Sequence, residues 1–238
     1  MSEAEALAMT TRPPRSFLSF FSGQFSGKTL RRYLFFMAAV FGGLVAIAFL
    51  LFPQYTLFDY SVSSLGAWHK NPAGWWFFSI AMWAMGIMVV PFLLHAKRKF
   101  EKYTPRSARL FQACVFVTAG GTVALGFFPE SPGTDTIHYI AAGFIFVGIF
   151  VDACISWVSI GKMARAARPH QRQIAIIASL VLMIAAFWVI LLGMLIMYLV
   201  SRSTFLSSVY FWEWCYVMVS DGLYLLLLEI VVSREPEP

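Results

Sequence analysis

Six apolar runs, each about twenty residues or longer, constrain this chain more than any other feature. They cover residues 33–52, 73–94, 110–128, 138–160, 174–200 and 211–232. A helix rises about 1.5 Å per residue, so each run is long enough to cross a hydrocarbon slab about 30 Å thick. The first, second, third and fifth runs hold no Asp, Glu, Lys or Arg; the fourth carries Asp152, and the sixth carries Glu213, Asp221 and Glu229. Strands cannot be left unpaired in lipid, and none of the runs alternates as a barrel strand would. The expected fold class is therefore all-α, a polytopic six-helix transmembrane bundle. Composition points the same way. The chain is 59% hydrophobic and 13% charged, against about 45–50% and 25% for a soluble domain. A soluble globular enzyme is excluded.

Charge placement orients the bundle. Of the 18 Lys and Arg, 16 lie before the first run, between the second and third, between the fourth and fifth, or after the sixth. Only Lys70 and Arg202 fall in the opposite loops. The positive-inside bias predicts both termini in the cytoplasm and a multi-pass protein of the cell membrane, plasma or inner. It also accounts for the net charge of +6 without a nucleic-acid partner; basic loops sit well against anionic headgroups. Residues 1–32 read as a basic, Phe-rich cytoplasmic segment, with 14–29 lying on the inner leaflet. Residues 33–232 form one membrane domain and 233–238 a cytoplasmic tail. The first run is longer than the apolar region of a signal peptide and is expected to stay as an anchor. Tyr55, Tyr60, Trp68, Trp75, Trp76, Tyr139, Tyr210, Trp212 and Trp214 gather where runs meet the outer side, as an interfacial belt does.

Polar chemistry is concentrated in the outer loops. The first, 53–72, brings Asp59, Ser61, Ser63, Ser64, His69 and Asn71 to the membrane surface; the second adds Glu130 and Asp135 and runs into His138; the third ends at Glu213. Convergence of such groups on an interhelical cavity is the default binding site. As a ligand site it comprises Ser61, Ser64, Asn71, Trp212 and Glu213. As a catalytic site it uses His138 as general base, Asp59 or Asp135 to orient it, and Ser63, another loop serine or water as nucleophile. Each residue also has a plain structural use. A histidine at a helix start bonds an interfacial carbonyl, and Ser and Asp before a helix cap it. No G-x-S-x-G nucleophile elbow is present. No histidine spacing supports a metal, and no cofactor is legible. Cys114, Cys154 and Cys215 all lie inside runs and read as packing residues.

Asp152 and Asp221 lie deeper, on runs without Lys or Arg. Intramembrane acids either mark a proton or ion path or clasp another helix. The small-residue pairs Ala38/Gly42 and Ala39/Gly43 admit a homo-oligomer and, equally, packing within one bundle.

The stretch Tyr60-Ser61-Val62-Ser63-Ser64-Leu65-Gly66, followed by Asn71-Pro72 at the second run, resembles the signature of the DUF 998 family (domain of unknown function 998). Phe128-Pro129 and His138 around the third and fourth runs are similar to that family's pattern too. The resemblance spans most of the chain and extends to the wider Frag/DRAM/Sfk group of six-span proteins. It implies a six-span fold and a role linked to lipids, since members of that group are associated with glycolipid-anchor remodelling or phospholipid organisation. Three functions stay open. One is lipid binding or remodelling at the outer pocket, as a hydrolase or an acyl or headgroup transferase if it is an enzyme. The others are a proton- or ion-coupled transporter using Asp221 and Asp152, and a non-catalytic membrane organiser. Membrane lipids are the expected partners.

Overall fold

The computed structural model describes residues 26–166 and 209–232, with isolated helical positions between 181 and 193. Among these residues the regular elements are helical: α1 Gly27–Leu50, one 3-10 turn Ser63–Gly66, α2 Trp75–Glu101, α3 Pro105–Phe127, α4 Asp135–Ala166 and α5 Val209–Val232. α1 to α4 are each long and apolar enough to cross a membrane. α5 coincides with the sixth apolar run. Most of the fifth run, most of residues 1–32 and the tail 233–238 lie outside the described residues.

The helices outrun the apolar runs at their basic ends. α1 begins at Gly27 rather than 33, α2 continues to Glu101 rather than 94, α3 begins at Pro105 rather than 110, and α4 reaches Ala166 rather than 160. An apolar run records the thickness of the hydrocarbon, whereas the helix stops only where its hydrogen-bond ladder is capped. Lys and Arg on the extra turns can carry their charge out to water along their stems. Local signals mark the true ends. The Ser26 hydroxyl accepts the Thr29 N–H at 3.2 Å and caps α1, whose first turn takes up the last residues of the expected interfacial segment. Pro105 opens α3 where its missing N–H costs nothing.

Helices adjacent in the chain pack together, α1 on α2, α2 on α3 and α3 on α4, while α5 touches α1, α2 and α4. Apolar burial alone gives little drive between helices in lipid, so close backbone approach and hydrogen bonds have to supply it. Both are present. A Cβ on Gly86 of α2 would lie 2.8 Å from the Ala119 carbonyl of α3, and one on Gly121 of α3 would lie 2.9 Å from the Ala141 carbonyl of α4. Pro91 interrupts the ladder of α2, and one turn earlier the Tyr33 hydroxyl of α1 donates to the Met88 carbonyl at 2.5 Å. Tyr216 of α5 donates to the Phe146 carbonyl of α4 at 2.5 Å. Gly42 and Gly43 meet no other described helix, so the Ala38/Gly42 and Ala39/Gly43 pairs take no part in these seams.

The outward surface is apolar, with Phe35, Phe36, Ile87, Leu110, Phe116, Phe144 and Val147 exposed. In water this would be a large unpaired patch; in lipid it is the solvated face. Inside, one cluster around Leu34, Phe92, Phe100, Phe111 and Tyr216 fills the basic half. A second, around Phe52, Phe78, Met82 and Leu125, fills the opposite half. Val62 and Leu65 of the α1–α2 loop are buried in that second cluster, so the loop is seated on the bundle.

Gly121→Ala and Gly86→Ala should each lower thermal stability in detergent, by about 1–3 kcal/mol, because the added methyl meets backbone rather than a movable side chain. Gly143→Ala, at a position with open space, should leave the melting curve unchanged.

Candidate functional site at the loop end of the bundle

The α1–α2 loop starts with a tight turn. Phe52-Pro53-Gln54-Tyr55 closes with Tyr55 N–H on the Phe52 carbonyl, Pro53 fixing one dihedral and Gln54 taking a left-handed φ of 65°. That turn swings Tyr55 back over the bundle, where it stacks on Tyr60 and meets Trp214 of α5 edge-on. Its hydroxyl donates to the Ser61 carbonyl at 2.8 Å and accepts the Trp214 indole N–H at 3.0 Å. Burial pushes the Tyr55 phenol well above its ordinary pKa, and the neighbouring Glu213 and Glu130 charges act in the same direction. It works as a neutral donor.

The serines follow immediately. Ser61 Oγ accepts the Ser64 N–H at 3.0 Å, which ties the preceding loop to the 3-10 turn Ser63–Gly66. All three hydroxyls then converge on one carboxylate oxygen. Ser61, Ser63 and Ser64 donate to Glu130 Oε2 at 2.7, 3.0 and 3.1 Å. Lys70 Nζ donates to Glu130 Oε1 at 3.1 Å and to Ser64 Oγ at 3.3 Å. From α5, the Glu213 carboxyl faces the backbone of Val62 and Ser63 at the start of the 3-10 turn. Two loops and a helix start therefore meet at one polar cap. Ser61 and Ser64 are buried, but the Lys70 and Glu130 side chains remain 29% and 15% exposed, so the cluster is reachable from outside.

The α3–α4 turn that carries Glu130 is braced separately. Thr134 donates to the Pro129 and Ser131 carbonyls, while the buried Ser131 hydroxyl accepts the Trp68 N–H at 3.2 Å and lies 3.3 Å from His69 Nδ1. His138, in the first turns of α4, has Nδ1 2.9 Å from the Phe128 carbonyl at the end of α3. A carbonyl can only accept, so Nδ1 carries the proton and the neutral ring keeps its lone pair on Nε2. Glu130, Asp135 and Lys70 all act on this ring electrostatically.

The expected site residues thus separate. Ser61, Ser63, Ser64 and Glu213 come together, with His138 in the same electrostatic neighbourhood. Asp135 opens α4, where its charge suits the helix N-terminus. Asp59 is exposed and bound by the Thr56 hydroxyl, away from the cluster. Asn71 is fully buried, and its amide donates to the Ala48 and Leu65 carbonyls at 3.0 and 2.9 Å while accepting the Gly74 N–H. Both its protons are committed to structure. Trp212 packs beside Gly193 and Phe211, outside the serine cluster. The Asp221 side chain lies outside the described residues. Among the described residues no group of three His, Cys, Asp or Glu is placed to hold a metal.

Glu130 and Lys70 are the hub that sequence reading passed over as a site. The signal was available: Lys70 is one of only two cations away from the basic end, and an isolated cation at a membrane rim seeks a carboxylate. Burial alone would raise the Glu130 pKa. The hydrogen bonds from Ser61 and Lys70, the Lys70 charge and the Ser63 hydroxyl outweigh it, so the carboxyl sits below the ordinary glutamate value. Chemically, a carboxylate held ionised is a good acceptor and electrostatic anchor but a weak base. His138 Nε2 is the stronger candidate for taking a proton.

A depressed folded-state pKa contributes stability that is complete above the unfolded value, about 4.3, and is lost as pH falls through the folded one. The wild type should therefore melt at falling temperature as pH drops through that window. Glu130→Gln should be less stable at neutral pH and should lose much of this acid dependence. Asn71→Ala should cost about 1–3 kcal/mol at all pH values, since it strands two buried carbonyls. Thermal unfolding across a pH series checks both.

Comparison with known proteins adds one result. The family described as "Protein of unknown function (DUF998)" matches residues 35–226, from α1 into α5. No curated protein matches the chain, and no solved structure does. The match takes in both loops of the polar cap and Glu213, so the cap lies wholly within the shared region. The chain belongs to the DUF998 family.

Proposed function

We propose that this is an integral membrane protein that seats the headgroup of a membrane lipid on the polar cap. The observation that carries the reading is the convergence of three serine hydroxyls and the Lys70 ammonium on Glu130 at one end of an apolar bundle. At that level a lipid presents its polar groups, while its chains lie along exposed apolar surface such as Phe144 and Val147. Ser63 and the Lys70–Glu130 pair are only partly covered, which leaves donors and acceptors for a ligand. In the same reading six spans cross the cell membrane, and the basic loops hold both termini in the cytoplasm. The cap then faces outward.

A chemical step on the bound lipid, hydrolysis or transfer of an acyl or headgroup moiety, would fall to His138. The Phe128 carbonyl fixes its ring and leaves Nε2 as the basic nitrogen, the usual way a histidine base is oriented. The neighbouring hydroxyls or a water would be the nucleophile.

Comparative lipidomics of cells overproducing wild type or His138→Ala at matched membrane levels tests this chemistry. A lipid class that changes with the wild type and reverts with the mutant is the expected result. Identical profiles would remove the catalytic step and leave binding alone.

A further inference from the structure

A second polar group lies inside the bundle, on the seam between α3 and α4. Asp152 sits about 25 Å along α4 from Asp135, well into the basic half. It is 3% exposed, and neither carboxyl oxygen has a hydrogen-bond partner among the described residues. The buried hydroxyls of Ser156, one turn further on, and of Thr118 on α3 are likewise unpartnered there. Cys114 of α3 and Tyr216 of α5 are in electrostatic contact with Asp152, and neither supplies a positive charge. α2 brings the buried His95 to the same half of the bundle.

The seam is unequal on its two sides. Toward the polar cap the two helices close up, with the Thr118 side chain seated on Gly148 and Gly121 against the Ala141 carbonyl. Toward the basic end, buried hydroxyls continue on the same face of α4 from Ser156 to Ser159. Ser159 lies 2.9 Å from the Thr104 hydroxyl, at the turn that joins α2 to α3. An ionised carboxylate without a cation costs several kcal/mol in such a place, whereas a neutral carboxylic acid avoids most of that cost.

We propose that Asp152 is a proton-binding site, loaded from the basic end of the bundle along Ser156, Ser159 and Thr104 and closed toward the polar cap. The proton moves between water at the basic end and the carboxyl; no other bond changes. The site is independent of the lipid-headgroup reading. It gives the molecule a carboxyl whose charge state follows the pH on one side of the membrane.

The test uses the full chain in oriented membrane vesicles and dicyclohexylcarbodiimide, an apolar reagent. A carboxylic acid adds across its C=N bond, the acid proton going to nitrogen, and the adduct rearranges to a stable N-acylurea that peptide mass spectrometry locates. Labelling of Asp152 at neutral pH is expected, together with a drop of about tenfold or more when strong alkali is applied at the basic face. The same alkali at the cap face should leave labelling unchanged. Asp152→Asn should lose the label and Asp152→Glu should keep it, which separates loss of the acid from loss of the fold. Infrared difference spectra should show a protonated carboxyl band that Asp152→Asn removes. The proposal is overturned by absence of both label and band, by labelling that sodium suppresses at constant pH, or by equal sensitivity to alkali from either side.

Discussion

The carboxylate of Glu130 is where the two described loops at one end of the bundle become a single structure. Peptide groups that leave a helix at the edge of an apolar slab must find partners at once, because the slab offers none. Here the partners are side chains. Glu130 gathers Ser61, Ser63, Ser64 and Lys70, Glu213 faces the backbone of the 3-10 turn, and Asn71 joins the ends of α1 and α2. The α1–α2 loop can then lie buried on the bundle. Removing the central carboxylate would leave three hydroxyls and an ammonium facing each other.

Below the cap, the helices are held by contacts that do not rely on expelling water. Glycines at the α2–α3 and α3–α4 crossings let backbones touch, and tyrosine hydroxyls cap carbonyls across α1–α2 and α4–α5. These directional contacts set how α3 and α4 stand against each other. They therefore set where the Phe128 carbonyl stands relative to His138, and where Glu130 stands relative to the serines. The geometry of the cap is a consequence of the seams.

Much of this was legible in the sequence, for reasons that differ by residue. The apolar runs announce the helices because lipid imposes a length and a composition together. The helices run on beyond them by a turn or more at the basic side, where Arg31, Arg32, Lys97 and Arg106 read as loop yet continue the helix. Ser61, Ser63, Ser64 and Glu213 were visible as polar groups bound for one end. What joins them was not, since Glu130 is 66 or more residues from its serines and nothing local marks the pairing. Asn71 looked like a ligand residue because a buried structural amide and a binding amide carry the same letter; only the carbonyls of Ala48 and Leu65 distinguish them. His138 had two readings, and the structure makes them compatible. One nitrogen is bound to the Phe128 carbonyl, and the other keeps its lone pair.

The most direct test of a headgroup seat on the polar cap is native mass spectrometry of the purified protein released from mild detergent. Wild type should carry a bound lipid of one headgroup class, Ser63→Ala should lose it while keeping the wild-type melting curve at neutral pH within a few degrees, and Lys70→Met should lose it at a cost in stability, since it leaves the Glu130 carboxylate without its cation. Wild type and both variants carrying the same mixture of lipids, in the proportions of the membrane they came from, would contradict the account.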